Sequence, residues 1–228
     1  RLVEMMNIYL GAMTEVIMEH GGFVDKYIGD AILAVFGAPV MLKNHAEKAC
    51  EAALACQERL LSLQSEMKLK GFPPLHSRIG ISTGEVVVGN VGSRHRMNYT
   101  VMGDVVNIGS RLEGANKEFG TSIMVLETTY AMAGDSFAFR ELDLLRVKGK
   151  KKPVRVFELM GRKGELSEKK KKVQELYTEG LSLYRRGDFE RALLFFEKAD
   201  SLDGGDGPSE CYKKRCRLFL EAPPPEGW

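Results

Sequence analysis

The chain has 228 residues, of which 44% are hydrophobic and 28% are charged; these values are typical of a globular protein and exclude disorder along the whole length. The 33 basic and 31 acidic residues leave a formal net charge of +2, which argues against a dedicated nucleic-acid-binding protein, so we expect no nucleic-acid partner. No apolar run reaches the roughly 18 residues of a membrane span and no secretory signal is visible, so we expect this segment to be cytoplasmic; tethering through residues upstream of Arg1 stays open.

The first part of the chain predicts a helix, a hairpin and a second helix. Apolar residues recur every three or four positions over 2–17, which indicates a helix that ends near Gly21 and Gly22. Two apolar strands, 23–28 and 31–36, flank Gly29-Asp30 and predict a hairpin. A long helix is predicted from a cap at Asn44, with an apolar stripe that reaches Met67 and an end at Gly71.

The middle of the chain predicts mainly strands. These strands cover 76–82, 85–91, 98–102, 122–126, 137–147 and 154–159, and a helix runs from Asp104 to Gly120. Helices that alternate with antiparallel hairpins predict an α+β sandwich. The order matches a ferredoxin-like βαββαβ core that lacks the strand before its first helix. Because the chain also opens on Arg1 inside a helical pattern, we expect it to start within its domain.

Composition changes at Gly161–Gly164, and the remainder predicts helices only. We therefore divide the chain into a domain over 1–160 and a helical segment over 165–228, called the tail below. The spacing of five tail residues fits one tetratricopeptide repeat: Leu176, Gly180, Ala192, Phe196 and Ala199. One repeat and one further helix bury their apolar stripe poorly. We therefore expect the tail to dock on the larger domain or on a partner protein.

The cysteines and histidines predict no metal centre. The four cysteines are Cys50, Cys56, Cys211 and Cys216. None of them belongs to a CxxC pair, and none lies beside a histidine at zinc-ligand spacing. We interpret them as buried or half-buried reduced thiols of a cytosolic protein. The four histidines are scattered and indicate neither a ligand nor a base.

Three other places could carry chemistry, and each also has an ordinary interpretation. Asp30 lies at a hairpin tip, where aspartate is common in turns. Asn107 and Arg111 are four residues apart on one helix face and could hold a sugar and a phosphate, or could be a cap and a solvated side chain. The basic run around Lys148 could bind phosphate or be a solvated loop.

The order and the residues of these motifs resemble those of the class III nucleotidyl cyclases. The matching segments are FVDKYIGDA at 23–31, RIGISTG at 78–84, YTVMGDVVNIGSRLE at 99–113 and KGK at 148–150. The resemblance covers Arg1 to about Met160 and implies the ferredoxin-like nucleotidyl cyclase fold. A related family, the diguanylate cyclases, is set aside because the hairpin at 27–31 lacks its GG[D/E]EF signature.

The resemblance implies a reaction and a metal site. The family cyclises a nucleoside triphosphate by attack of the ribose 3′-hydroxyl on the α-phosphate, with release of pyrophosphate and with two Mg²⁺ or Mn²⁺ ions per site. In the family two aspartates bridge these ions, since such ions prefer carboxylate oxygens, and Asp30 matches the second of those aspartates. The first aspartate has no match and is expected upstream of Arg1, so the chain alone is expected to be inactive.

The resemblance also assigns the substrate contacts. Lys26 and Thr100 match the base-reading positions in the combination expected for ATP, because guanine-selective members typically carry Glu at the first position. Asn107 matches the ribose-orienting amide and Arg111 the guanidinium that stabilises charge on the phosphoryl group. Two further positions match triphosphate contacts, Arg78 and Lys148, with Lys150 a weaker candidate.

In this family the site lies between two subunits, so the resemblance implies a homodimer with two sites. Asp30 and Arg78 would come from one subunit, and the other would supply Lys26, Thr100, Asn107, Arg111 and Lys148. The expected function is an adenylate cyclase in a signalling protein that makes cyclic AMP from ATP. Two alternatives stay open, a catalytically silent cyclase-like module that binds nucleotide or dimerises, and a guanylate cyclase.

Overall fold

The computed structural model describes residues 1–145 and 153–224. The elements in chain order are α1 (Leu2–Glu19), β1 (Phe23–Ile28), β2 (Ala31–Val35), α2 (His45–Leu69), β3 (Ile79–Ile81), β4 (Val87–Ser93), β5 (Arg96–Met102), α3 (Asp104–Phe119), β6 (Ile123–Leu126), α4 (Glu127–Ala133), β7 (Phe137–Leu145), β8 (Val154–Arg162), α5 (Glu168–Arg185), α6 (Phe189–Asp203) and α7 (Gly207–Glu221). This order confirms the predicted α+β architecture followed by helices.

Several elements differ from the sequence prediction. β4, β5 and β8 begin or end two or three residues away from the predicted bounds of 85–91, 98–102 and 154–159. The strand predicted over 76–82 is confined to β3, because the chain before Ile79 runs as a loop along α2, where Gln64 donates to the carbonyl of Leu75. The helix α4 was not predicted. It is one short helix whose Thr129 hydroxyl lies 2.9 Å from that of Thr83, a tertiary contact that periodicity cannot reveal.

In the part of the chain that the structure describes, the strands form three separate sheets. β1 pairs with β2 and β4 pairs with β5, both antiparallel, while the largest sheet has the order β3-β6-β8-β7. Within it, β3 and β6 are parallel and the other pairs are antiparallel. Within the described residues, β2 and β3 are each hydrogen-bonded to a single neighbouring strand.

The helices cover these sheets through separate apolar clusters. One cluster joins α1 to α2, and its fully buried centre includes Met13, Leu63 and Met67. A second cluster lies beneath the start of α2 and the sheet strands β6 and β8, around Cys50 and Val125. These contacts fix the β1-β2 hairpin and β3 against the same pair of helices.

The tail shares a third core with the larger domain. That cluster contains Leu112 and Phe119 of α3, Leu142 of β7, and Tyr177 and Tyr212 of the tail helices. Both tyrosine hydroxyls donate to the carbonyl of Leu142, at 3.3 and 2.7 Å. The structure therefore shows the tail docked on the larger domain, one of the two expected outcomes, whereas its assignment as a tetratricopeptide repeat stays a prediction.

A buried ion-pair network joins the tail to the sheet. Arg140 of β7 is only 4% exposed. Its Nη1 lies 2.9 Å from both carboxylate oxygens of Asp206, and its Nε lies 2.8 Å from Oε2 of Glu158. Burial by itself lowers the pKa of Arg140, but the two carboxylates outweigh it and hold the pKa above its ordinary value. The guanidinium therefore stays charged inside the core.

None of the helices in the described ranges combines the length and apolar composition that crossing a bilayer requires.

The four cysteines are free thiols, three of them buried and Cys211 half-buried. Burial raises the pKa of Cys50 and Cys216 to about 12 and that of Cys56 to about 11. At about pH 8 this lowers the thiolate fraction more than about 100-fold below that of an exposed cysteine. We expect a thiol reagent to label Cys211 first and the other three only after unfolding, as counted by mass spectrometry; prompt labelling of Cys50 would contradict this.

Candidate active site

The structure brings the two predicted base-reading residues into contact. Lys26 on β1 donates from Nζ to Oγ1 of Thr100 on β5, at 2.9 Å, although 74 residues separate them. A third residue joins them, because Thr100 donates to Oδ2 of Asp25 at 2.7 Å and that oxygen lies 3.5 Å from Lys26 Nζ. The result is a compact polar triad of Asp25, Lys26 and Thr100.

The local backbone explains why all three side chains meet. Phe23 and Tyr99 pack edge-to-face with ring centres 5.8 Å apart, which holds β1 against β5. Successive side chains of a regular strand point to opposite faces, but the β1-β2 register shifts between Val24 and Lys26. This bulge at Asp25 lets both neighbouring side chains reach Thr100.

Space remains beside the triad. On the neighbouring strand β4, Gly89 is the partner of Thr100, and a side chain at Gly89 would meet no atom within 4 Å. Lys26 is half exposed, while Thr100 retains 7% exposure. The polar group is therefore open on one side, as a site for a flat ligand edge requires.

Helix α3 carries the second pair of predicted residues. Asn107 and Arg111 both lie on its exposed face, while Ile108 and Leu112 are buried beneath them. The helix lies very close to β3, since a side chain at Gly80 would overlap the α3 backbone. Asn107 and Arg111 are thus held on a rigid support, one helical turn apart.

Arg78 lies beside the same helix. Its Nε donates to Oε1 of Glu113 at 3.2 Å, and both side chains are half exposed. Arg78 therefore contacts α3 of its own chain through Glu113. Because an exposed ion pair is weak, an incoming phosphate could take over the guanidinium at little cost.

Asp30 is exposed in the turn between β1 and β2, beside Gly29 in the left-handed conformation (φ 64°). Across residues 1–145 and 153–224, no cluster of three or more His, Cys, Asp or Glu side chains is arranged to hold a metal ion. Mg²⁺ commonly takes one or two protein carboxylates and completes its shell with phosphate oxygens and water. Asp30 therefore fits as one contributor to a metal site, not as a complete one.

Two predicted residues, Lys148 and Lys150, lie outside the described residues. Their assignments stay predictions.

The site is an open surface. A cavity of about 900 Å³ opens elsewhere, between the C-terminal ends of α2 and α3; Arg78 lines it, but Lys26, Thr100, Asn107 and Arg111 do not. Around the triad several apolar side chains are exposed, on the β1 end and on the β4-β5 hairpin: Tyr27, Ile28, Val87, Val91, Met97 and Met102. An exposed apolar patch next to polar groups is typical of a protein interface.

Sequence reasoning missed Asp25 and Glu113. Asp25 belongs to the quoted motif, but strand alternation places it on the face opposite Lys26, and no sequence signal predicts the bulge. Glu113 lies six residues after Asn107 on the same helix, and only the position of β3 against α3 reveals its contact with Arg78.

Comparison with known proteins places these residues in a family context. The profile of the adenylate and guanylate cyclase catalytic domain matches residues 1–161. Adenylate cyclase 1 of Rhizobium meliloti is 40% identical over 160 residues, which are 70% of this chain and 24% of that protein. The terminal-differentiation-specific adenylate cyclase of Dictyostelium discoideum is 34% identical over 223 residues, 94% of this chain and 10% of that protein. This chain thus spans a quarter or less of these two relatives.

Solved structures of cyclases also match the fold of this chain. The adenylyl cyclase CyaB from P. aeruginosa is 31% identical with a TM-score of 0.66, over 73% of this chain and 85% of that one. A guanylyl cyclase domain from the fungus Blastocladiella emersonii, described as a non-canonical dimer, is 28% identical with a TM-score of 0.58, over 69% of this chain and 82% of that one. Because the two act on different nucleotides by name, the fold alone does not decide the base.

Proposed function

The chain belongs to the family of adenylate and guanylate cyclase catalytic domains, and from this we propose that it is the catalytic unit of an adenylate cyclase, which converts ATP to 3′,5′-cyclic AMP and pyrophosphate. The observation that carries the proposal is the contact between Lys26 and Thr100. Relatives at 34% and 40% identity that are named adenylate cyclases support it.

The proposed role of the triad is to read the base. Adenine presents an acceptor at N1 and a donor at its exocyclic amine. Lys26 has three donors and can serve N1, while the Thr100 hydroxyl can accept from the amine. Gly89 leaves room for the ring beside Thr100.

The exposed face of α3 is proposed to hold the ribose and the reacting phosphate. Asn107 would orient the ribose so that the 3′-hydroxyl meets the α-phosphate in line, with bond formation at phosphorus as the bond to pyrophosphate breaks. Arg111 would stabilise the negative charge that develops on the phosphoryl oxygens. Arg78 and Lys148 are proposed to bind the triphosphate.

Asp30 is proposed to supply one carboxylate to a divalent-cation site, with Mg²⁺ or Mn²⁺ as the ions and two of them per site. Bound there, such ions would neutralise the triphosphate and favour the ionised 3′-hydroxyl. The chemistry of the donor supports this, because an exposed carboxylate can join phosphate oxygens around a hard cation.

We propose that two chains form a homodimer with the sites at their interface. The exposed apolar residues around the triad, such as Met97 and Met102, support this. One subunit would contribute Asp30 and Arg78, and the other the triad and α3 residues. A guanylyl cyclase domain of the same fold is described as a non-canonical dimer, which supports self-association but not this particular arrangement.

The test is product analysis of the full gene product with ATP and GTP in the presence of Mg²⁺ or Mn²⁺. Cyclic AMP as the main product supports the proposal, and cyclic GMP would favour a guanylate cyclase. Nucleotide binding without either product would favour the silent module that regulates a partner, to which the tail would then contribute.

Charge reversal at Lys26 tests the base-reading role. We expect Lys26→Glu to lower kcat/KM for ATP at least about tenfold, because it removes the donor to N1 and puts a second carboxylate beside Asp25. The measurement is initial-rate kinetics with ATP and GTP. Lys43→Glu, at an exposed position outside the triad, is the matched control, and an equal loss in both variants would refute the assignment.

A further inference from the structure

The carboxylate of Asp25 is an unusual feature beside the proposed base site, and the following inference rests on the proposed function. Its side chain is only 1% exposed. A buried carboxylate needs partners, and among the described residues it has two, the Thr100 hydroxyl at 2.7 Å and the Lys26 ammonium at 3.5 Å. Both partners are the predicted base-reading residues.

The donors and acceptors in this triad allow only one arrangement of hydrogens. A carboxylate accepts and cannot donate, so the Thr100 hydroxyl must donate its single proton to Asp25. An ammonium donates and cannot accept, so Lys26 must donate to a lone pair of the same hydroxyl at 2.9 Å. Thr100 is left with one lone pair and no proton for a ligand.

We propose that Asp25 is a specificity-determining positioning residue, which fixes the Thr100 hydroxyl as an acceptor and thereby selects adenine over guanine. Adenine presents an N–H donor at its exocyclic position, which matches the remaining lone pair. Guanine presents a carbonyl oxygen there, which would face a second acceptor. Without Asp25 the hydroxyl can turn and serve either base.

The β-bulge at Asp25 makes this positioning role possible. It puts the side chains of Asp25 and Lys26, adjacent in sequence, on the same hydroxyl. Thr100 as a residue is only 7% exposed, so little bulk water reaches it. Water cannot easily replace the lost hydrogen bond to a wrong base, so the mismatch stays costly.

The first test compares two variants of the same position in the full gene product, with kcat/KM for ATP and GTP as the measured quantities. Asp25→Ala removes the acceptor, and we expect the ATP-to-GTP ratio to fall about tenfold. Asp25→Asn keeps an acceptor oxygen of similar size but removes the charge, and we expect the ratio to stay within about threefold. An unchanged ratio in Asp25→Ala, or an equal fall in both variants, would overturn the inference.

The second test leaves Asp25 in place. Thr100→Val keeps the shape of the side chain without the hydroxyl, and we expect kcat/KM for ATP to fall about tenfold while the value for GTP is unchanged. In the Thr100→Val background, Asp25→Ala should have no further effect on the ratio. Equal losses with both nucleotides would show that the hydroxyl can turn and would overturn the inference.

Failure of the proposed function gives a different result. Cyclic GMP as the main wild-type product would refute adenylate cyclase activity and the inference together. A wild-type preference for ATP that Asp25→Ala leaves intact would refute the inference alone. Equilibrium titration with ATP and GTP measures the ratio of their dissociation constants, so a variant that has lost activity still gives a result.

Discussion

Replacement of Asp30 by Asn is expected to reduce cyclic AMP formation by the full gene product at least about 1000-fold, because the neutral amide is a poor ligand for the cation that neutralises the triphosphate. The side chain is exposed in a turn, so the change removes no buried contact and should leave the thermal midpoint almost unchanged. Initial rates with ATP and Mn²⁺, together with a thermal melt, measure the two effects separately.

The matched control for Asp30 is another exposed aspartate in a turn, Asp135. Asp135→Asn should leave the rate within about twofold, since surface substitutions away from a site usually change little. A loss of similar size in both variants would point to a general effect of charge. Full turnover in Asp30→Asn would remove the metal-binding assignment.

Removal of the buried carboxylate of Asp206 is expected to lower the free energy of unfolding by about 3–5 kcal/mol, because it leaves the Arg140 guanidinium buried with one carboxylate partner fewer. Asp206 also begins α7 by accepting from the backbone N–H of Ser209 at 3.1 Å. The variant is Asp206→Ala, and the measurement is denaturant unfolding followed by circular dichroism.

The chain contains a matched control for Asp206 at the start of the preceding helix. Asp188 begins α6, accepts from the backbone N–H of Arg191, and pairs with the Arg191 side chain at 3.2 Å, but its own side chain is 35% exposed. Asp188→Ala should cost about 1 kcal/mol, the usual cost of a lost cap. Equal costs in the two variants would show that the buried network adds nothing beyond capping.

The sequence predicted the parts of the fold that have a clear period. Apolar spacing and glycine breakers indicated α1, α2, α3 and the β1-β2 hairpin, and the family motifs brought Lys26 and Thr100 together across 74 residues. Features that depend on tertiary contacts could not be predicted. The bulge at Asp25 has no signal in strand alternation, and the burial of Arg140 depends on its contacts with Glu158 on the neighbouring strand and with Asp206 in the tail.

The prediction for the tail was limited for a similar reason. Its apolar stripes indicated helices that need a covering surface, but periodicity does not identify that surface. The covering surface includes Leu142, whose single carbonyl accepts hydrogen bonds from two tyrosines of the tail. A buried carbonyl that accepts two hydrogen bonds arises only in the assembled core, so the local sequence does not predict it.

Helix α3 shares a hydrophobic core with the tail. This core therefore extends along the chain beyond the last residue that the cyclase profile matches. The cyclase profile stops at residue 161, yet Phe119 and Leu142 on the near side of that limit are buried together with Tyr177 and Tyr212 beyond it. A truncation of the chain at residue 161 would cut through a hydrophobic core and not through a linker. The Dictyostelium relative aligns over 94% of the chain, more than the profile covers, so the similarity to that relative extends into the tail that shares this core.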